Sequence, residues 1–298
     1  MICVKIMGGL GNQMYQYAIG RYLSMKNDTN LQYDMSYFSY CGARDFMLNH
    51  FLTVGEPTTS SLIQTFAKTQ TSAVALSGNT ELLKTLEMSM YVAAEKNSQF
   101  DPAILQLPYK NIYLSGYWGT YKYSFAIRDV LKKDFQCKTP LSMISQEWKR
   151  RISMDTNVTV ALHVRRGDYI ASEINRIIYK VLPISYYQEC IDQLKREYGN
   201  ISVYVFSNDM EWVKENLKFP DVQMNFVEGS DEAHGYEDMA LMWECQHHII
   251  ANSTFSWWGA YLAKKPGKTY APSEWFNVQG DAYDIRDNYP ADWIQIKV

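Results

Sequence analysis

Val158-Thr159-Val160-Ala161-Leu162-His163-Val164-Arg165-Arg166-Gly167-Asp168-Tyr169 is an apolar run that stops abruptly in charged and polar residues. A short run of β-branched and aliphatic residues describes a strand buried on both faces. In open α/β sheets, ligands sit beyond the carboxyl ends of the strands. Here that end carries adjacent arginines, the flexible Gly167 and an acid. Guanidinium recognises phosphate bidentately, so the block reads as the phosphate-handling strand end of an α/β protein. The same residues also suit a solvated turn, with Asp168 as the salt-bridge partner of the pair.

A second segment argues independently for an anion site. Residues 2–7 read as a short strand, Gly8-Gly9-Leu10-Gly11-Asn12-Gln13 as a glycine-rich turn, and Met14 to Met25 as a helix. Tyr15, Ala18, Ile19, Tyr22 and Leu23 mark its buried face. Strand, turn and helix N-terminus would set backbone N–H groups and the helix dipole against an anion. Gly9, Gly11, Asn12 and Gln13 are the candidate contacts. The turn is neither a Walker loop nor a dinucleotide fingerprint: Asn12-Gln13 stands where Lys-Ser/Thr would follow Gly11, and Met14 occupies the small-residue position. Tight packing of a helix on a strand is the plainer explanation of the glycines.

The third segment, Asn252-Ser253-Thr254-Phe255-Ser256-Trp257-Trp258-Gly259-Ala260, follows a short buried strand and leads into a helix. Thr254 and Ser256 suit helix capping, and their hydroxyls and neighbouring N–H groups would equally serve a diphosphate.

From Val158 onward the pattern is regular. Strand 158–164, helix 184–198, strand 201–206, helices 210–217 and 237–246, strand 247–251, helix 256–265 and strand 268–271 alternate as a doubly wound α/β unit does. The earlier half is less periodic: a Tyr-, Thr-, Ser- and Gln-rich stretch from Tyr33 to Gln106 is assigned only loosely. Asn111 to Gly119 looks like a strand emptying into an aromatic loop. Lys138-Thr139-Pro140 and the amphipathic stretch to Arg151 join the halves, giving expected domains of 1–140 and 141–298.

A length of 298 residues fits two ordinary domains, and 47% apolar residues suffice to build their cores. A net charge of −3 argues against a nucleic-acid binder, so the arginine pair acts locally. The odd count of five cysteines has no zinc-like spacing, and Cys3, Cys190 and Cys245 fall inside expected elements, as reduced core thiols do. No apolar stretch approaches the ~20 residues of a membrane span, and the chain opens on a strand. The expectation is a cytoplasmic, bacterial protein.

Four blocks now carry a resemblance. Met7 to Met14, His163 to Tyr169, Phe206-Ser207-Asn208-Asp209, and Asp238-Met239-Ala240-Leu241 through Ser253 to Ser256 occur in the order seen in the α-1,2-fucosyltransferases, glycosyltransferase family 11. The likeness runs from residue 2 to about residue 265. It implies a GT-B-like α/β fold, two Rossmann-like domains facing a cleft, with an N-terminal acceptor side and a C-terminal GDP-fucose side. It also implies an inverting transfer of L-fucose from GDP-fucose to the 2-hydroxyl of a galactose-type acceptor in a bacterial surface glycan or oligosaccharide. Animal members carry an N-terminal membrane anchor. Here only peripheral association at the inner membrane face, through a lipid-linked acceptor, is anticipated.

Such a transfer must relieve charge on the leaving diphosphate. A metal route usually shows an Asp-x-Asp pair, which this sequence lacks. His247 and His248, neighbours on an expected strand, point to opposite faces and chelate poorly. No metal or cofactor is therefore expected, and Arg165 and Arg166 substitute. By family analogy Arg165 contacts the β-phosphate, while Arg166 either shares this role or braces the loop. For the base, Asp168 and Glu173 stand level, beside a third option in which no side chain acts fully. A glutamate at the Glu173 offset is the base in α-1,6-fucosyltransferases with a related string, though many α-1,2 members lack it. His163 is a candidate for ribose or guanine contact or else a buried structural histidine. Asp238 could accept from guanine N1–H and N2–H or serve as a helix-start acid. Asn208 and Asp209 are candidates that also fit ordinary turn chemistry. Thr254, Ser256 and Trp257 would complete the diphosphate site, with Asn12 and Gln13 meeting it from the other domain. Tyr117 and Trp118 would stack on the acceptor. Two alternatives stay open: a same-fold enzyme with another sugar or linkage, and a non-enzymatic nucleotide or glycan binder.

Overall fold

The computed structural model describes the chain except residues 42–43, 70–75, 77–78 and 230–231. The chain divides into two compact units, 1–138 with 286–289, and 139–285 with 290–298. Residues 286–289 were expected in the later half. They group with the earlier one because Asp287 binds there: its carboxylate accepts the Phe100 N–H at 3.0 Å and pairs with Lys122 at 2.5 Å.

The second unit is built on β6 (Val158–Val164), β7 (Ile201–Ser207), β8 (Gln223–Phe226), β9 (His247–Ile249), β10 (Thr269–Pro272) and β11 (Ile294–Ile296). All pairings are parallel, in the order β11-β10-β9-β6-β7-β8. The absence of polar alternation in β6 has a direct cause. Val160, Leu162 and Val164 face Tyr186, Tyr187, Cys190, Ile191 and Leu194 of the helix Ile184–Tyr198, all buried. Ala161, Tyr204 and Phe206 face Ile152, Leu241, Met242 and Cys245 on the other side. Each Leu- or Ile-sized side chain buried in this way contributes about 1.5–3 kcal/mol. The half-buried, polar β8 and the three-residue β11 are edge strands that carry too little apolar signal to be read from sequence.

The first unit has β1 (Ile2–Lys5), β2 (Leu31–Asp34), β3 (Glu56–Pro57), β4 (Tyr91–Ala94) and β5 (Ile112–Ser115), all parallel, in the order β3-β2-β1-β5-β4. Its first helix spans Leu10–Lys26, beginning four residues before the expected Met14. The turn is confined to Gly8 and Gly9, and Gly9 caps the helix with extended backbone. Gly11, Asn12 and Gln13 therefore belong to the first helical turn. The loosely assigned stretch holds the end of β2, then β3 and β4 and the helices Ser61–Lys68 and Thr80–Ser89. Both units are Rossmann-like, the α/β class that the motifs imply.

Candidate functional site

In the second unit, strand order reverses beside β6, where crevices form in open α/β sheets. Five of the expected site residues converge on the turn that leaves this strand. Arg165 Nη2 lies 2.6 Å from Asp168 Oδ2, and its guanidinium sits 5.8 Å from the centre of the Tyr169 ring. The Arg165 side chain is 22% exposed, so the fork is held yet reachable. Arg166 points elsewhere. Its Nη1 pairs with Asp209 at 3.0 Å and its guanidinium covers Trp212 at 4.4 Å.

Asn208, expected at the nucleotide, is a brace for the turn. Its Oδ1 accepts the N–H groups of Arg166 and Gly167 at 3.0 and 3.2 Å, and its Nδ2 donates to Asp168 Oδ1 at 3.0 Å. A Cβ on Gly167 would come within 2.8 Å of the Asn208 carbonyl oxygen, so this approach needs glycine. Asp209 likewise serves Arg166 and caps the helix Met210–Asn216. Both residues are too occupied locally to be read as ligand contacts. Asp168 is committed as well, to Arg165 and Asn208. Glu173 opens the short helix Glu173–Ile178 and is exposed.

His163 is 3% exposed, and its Nδ1 has no hydrogen-bond partner. Its ring lies 5.4 Å from that of Phe255. Burial, aided by the Arg165 charge, pushes its pKa down to about 3, so it is neutral. The neighbouring strand end presents Asn252, whose Nδ2 donates to the carbonyls of Lys180 and Trp275 at 2.8 Å each. The Asn252 carbonyl accepts the Tyr169 hydroxyl at 2.8 Å, and its Oδ1 is buried without a partner. Two orphaned polar atoms at one sheet edge are the kind of unmet demand a ligand satisfies. Neither Asn252 nor Tyr169 was singled out from sequence; the only signal was their place inside the two motifs.

The helix Thr254–Tyr261 is capped by Ser253, whose hydroxyl accepts the Phe255 N–H at 3.3 Å. Thr254 is half-buried at its first position, while Ser256 is fully buried and its hydroxyl reaches the Ala251 and Ser253 carbonyls at 3.4 and 3.3 Å. Trp257 does not reach a ligand surface. It is fully buried, stacked on Tyr261 at 4.5 Å and beside Trp258 and Trp293. Asp238 is half-buried in the first turn of Gly235–Met242. Its neighbour Glu237 is the buried one. Burial works to raise its pKa, but hydrogen bonds from Ser142 and Ser145 outweigh this and hold it low. Among the described residues, no three His, Cys, Asp or Glu side chains gather as a metal ion would need.

In the first unit, Gln13 is an internal brace. Its Nε2 donates to the Gly8 and Asp45 carbonyls at 2.9 and 2.8 Å, and its Oε1 accepts the Met47 N–H at 2.8 Å. The half-buried Asn12 folds over Gly8, where a Cβ would meet its Nδ2 at 2.7 Å. Trp118 is 1% exposed and offers no stacking platform, unlike the half-buried Tyr117. The N–H groups of both are held by a carboxylate that the sequence did not flag, Glu95.

The profile of glycosyl transferase family 11 matches residues 1–297. The chain belongs to glycosyltransferase family 11. It is 33% identical over 284 residues to the O-antigen biosynthesis glycosyltransferase WbnK of Escherichia coli, covering 90% of this chain and 93% of that protein. It is 27% identical over 304 residues to an α-1,2-colitosyltransferase of Escherichia coli, covering 100% and 99%. A galactoside α-(1,2)-fucosyltransferase 1 of Saimiri boliviensis boliviensis shares 30% identity over 155 residues, half of this chain and 42% of that one. Among solved structures, POFUT1 in complex with GDP-fucose superposes with a TM-score of 0.51 at 15% identity, covering 93% of this chain and 98% of that one, a likeness of fold. The family member described here is thus a glycosyltransferase built on two Rossmann-like units of the GT-B class.

Proposed function

We propose that this glycosyltransferase moves L-fucose from GDP-fucose to the 2-hydroxyl of a galactose-type acceptor, with inversion and without a metal ion. The observation that carries the reading is Arg165: a guanidinium at the end of the central strand, fixed by Asp168 and partly exposed. The bond from fucose C1 to the β-phosphate oxygen breaks, its electron pair stays on that oxygen, and Arg165 meets the charge as it develops. The acceptor oxygen attacks C1 from the opposite face and loses its proton. Asp168 orients Arg165, which supports Glu173 as the side chain left to take that proton. His163, neutral and buried, and Asn252 at the neighbouring strand end form the floor of the nucleotide site. The Thr254 helix start adds N–H groups for the diphosphate, and Asp238 is retained for guanine. Arg166, Asn208 and Asp209 keep the turn in shape.

The full-length likeness to an α-1,2-colitosyltransferase supports a second reading, in which the donor sugar is colitose. A lipid-carried acceptor in a bacterial surface glycan would bring the protein to the inner membrane face peripherally; among the described residues no helix is long and apolar enough to cross a membrane. Incubation with GDP-fucose and a panel of β-galactosides, with EDTA present and linkage analysis of the product, tests the proposal. The expected product is an α-1,2-fucoside formed at an unchanged rate. Activity that vanishes on chelation and returns with manganese would remove the metal-free step, and preference for a colitose donor would replace the sugar.

A further inference from the structure

Glu95, in the first unit, has no part in the transfer proposed above. Glu95 directly follows β4, and its two oxygens accept the backbone N–H groups of Tyr117 at 2.6 Å and Trp118 at 2.8 Å. These pin the aromatic turn after β5 to the end of its neighbour. The fit is close: a Cβ on Gly116 would lie 2.3 Å from Glu95 Cβ, 2.9 Å from its Oε2 and 3.1 Å from Trp118 Cε2. Trp118 holds a φ of 58°, a left-handed conformation that a bulky residue keeps only where its surroundings enforce it. Such strain clusters at ligand clamps.

A carboxylate used only to tie a turn would be expected to sit in a neutralised, fully sealed place. Glu95 does not. It is half-buried, and among the described residues no cation pairs with it. Burial pushes its pKa up to about 7 although the two amides pull the other way. Two hydrogen bonds occupy half of what a carboxylate can accept. Around it, Trp118 Nε1 and Ser115 Oγ are buried with no partner, and Trp118 packs edge-on against Tyr123 at 5.6 Å. A half-buried hydrogen-bond acceptor with capacity to spare, beside unmet polar atoms at the carboxyl edge of a parallel sheet, suits a polyhydroxylated ring rather than an anion.

We propose that Glu95 is the hydroxyl-binding residue of an acceptor subsite in the first unit, accepting hydrogen bonds from hydroxyls of a hexopyranose. This rests on the glycosyl-transfer reading above and adds the residue that selects the acceptor. Tyr117 and Trp118 then serve through their backbone, which aims the carboxylate.

The test uses Glu95→Gln and Glu95→Asp in the full chain, with GDP titration as the check on folding. Two readouts follow: the acceptor KM for a β-galactoside at saturating GDP-fucose, and binding of methyl β-D-galactopyranoside followed by saturation-transfer NMR. We expect GDP affinity within about twofold of wild type and an acceptor KM raised about tenfold or more in Glu95→Gln, the loss typical of a hydrogen bond to a charged acceptor. The NMR signal should fade in parallel, while kcat changes less than KM. An unchanged KM in a variant that binds GDP overturns the proposal, whether or not kcat falls, because Glu95 would then be a brace or a base. Should Glu95→Gln not fold, the Asp variant, shorter by one methylene, is judged by the same criteria. If the wild type binds the galactoside but transfers no fucose to it, the fucosyl reading fails while the NMR comparison still judges Glu95. A wild type that does not bind the galactoside sinks the subsite itself.

Discussion

Both sheets reverse strand order beside their first strand, β1 in one unit and β6 in the other, yet their carboxyl edges differ in sign. The second unit ends in Arg165 and Arg166, each with a carboxylate of its own. The first ends in Asp34 and Glu95, of which Asp34 shares a buried neighbourhood with Lys5 while Glu95 has no cation partner among the described residues. The bracing is alike. Asn208 and Glu95 each accept two backbone N–H groups of the turn beside them, and Asn208 also donates to Asp168. One scaffold therefore offers a cationic edge suited to a diphosphate and an acidic, aromatic edge suited to hydroxyls. Topology supplies the edge; the few residues after each strand decide its chemistry.

The sharpest way to break this contrast is to remove its cation. Arg165→Ala should cost about 3 kcal/mol or more of barrier, a loss of roughly a hundredfold or greater in kcat/KM for GDP-fucose. Arg165→Lys should recover little, since a point charge does not replace the fork. Arg166→Ala should do less harm, because its guanidinium already spans Asp209 and Trp212. Steady-state kinetics on the three variants decides the matter, and equal damage from both alanines would erase the distinction between the arginines.

Acid provides a second probe, because the two edges respond in opposite directions. His163 titrates near 6.5 when unfolded and is pushed down to about 3 when folded. Between those values the unfolded chain binds a proton that the native one refuses, so stability falls as pH drops through this window. At pH 5 the penalty is about 2 kcal/mol relative to neutral pH. Glu95 behaves in reverse: with its pKa raised to about 7, its contribution is fully present below about 4.5 and is lost as pH rises through 7. Denaturant melts at pH 7 and pH 5 should show a smaller acid loss in His163→Gln than in wild type. His248, pushed down to about 4, keeps part of the effect in both. Identical losses would mean that the His163 ring is not held neutral.

The strong apolar signal of the second unit made its elements legible. β6 and the helix Ile184–Tyr198 lie where periodicity predicts, because buried faces dominate both. The first unit was not legible between Tyr33 and Gln106: β2, β3 and β4 are four residues or fewer, too short for a period to register. At the site, residue type singled out the turns but not which of their side chains face out. Asn208, Asp209, Gln13, Trp118 and Trp257 all look like ligand residues in a string, yet the first three are bonded to groups distant in sequence and the two tryptophans are buried. Glu95 had no motif around it. Its role appears only when β4 and β5 lie side by side and the Tyr117 and Trp118 amides converge on it.

Asn208 gives the smallest of these effects and the finest test of how the cationic edge is shaped. Its amide accepts two backbone N–H groups and donates to Asp168, so it fixes both the path of the turn and the partner of Arg165. Asn208→Ala leaves those N–H groups to water, at about 1–1.5 kcal/mol. Because the turn is partly exposed, most of that cost should appear as a looser arginine rather than as lost folding. GDP-fucose KM should therefore rise about tenfold with only a small shift in Tm. Asn208→Asp should rescue poorly, because a carboxylate can accept the two N–H groups but repels Asp168. A full rescue by Asp would show that the backbone contacts alone matter, and an unchanged KM in the alanine variant would show that the Arg165–Asp168 pair holds its geometry without a brace.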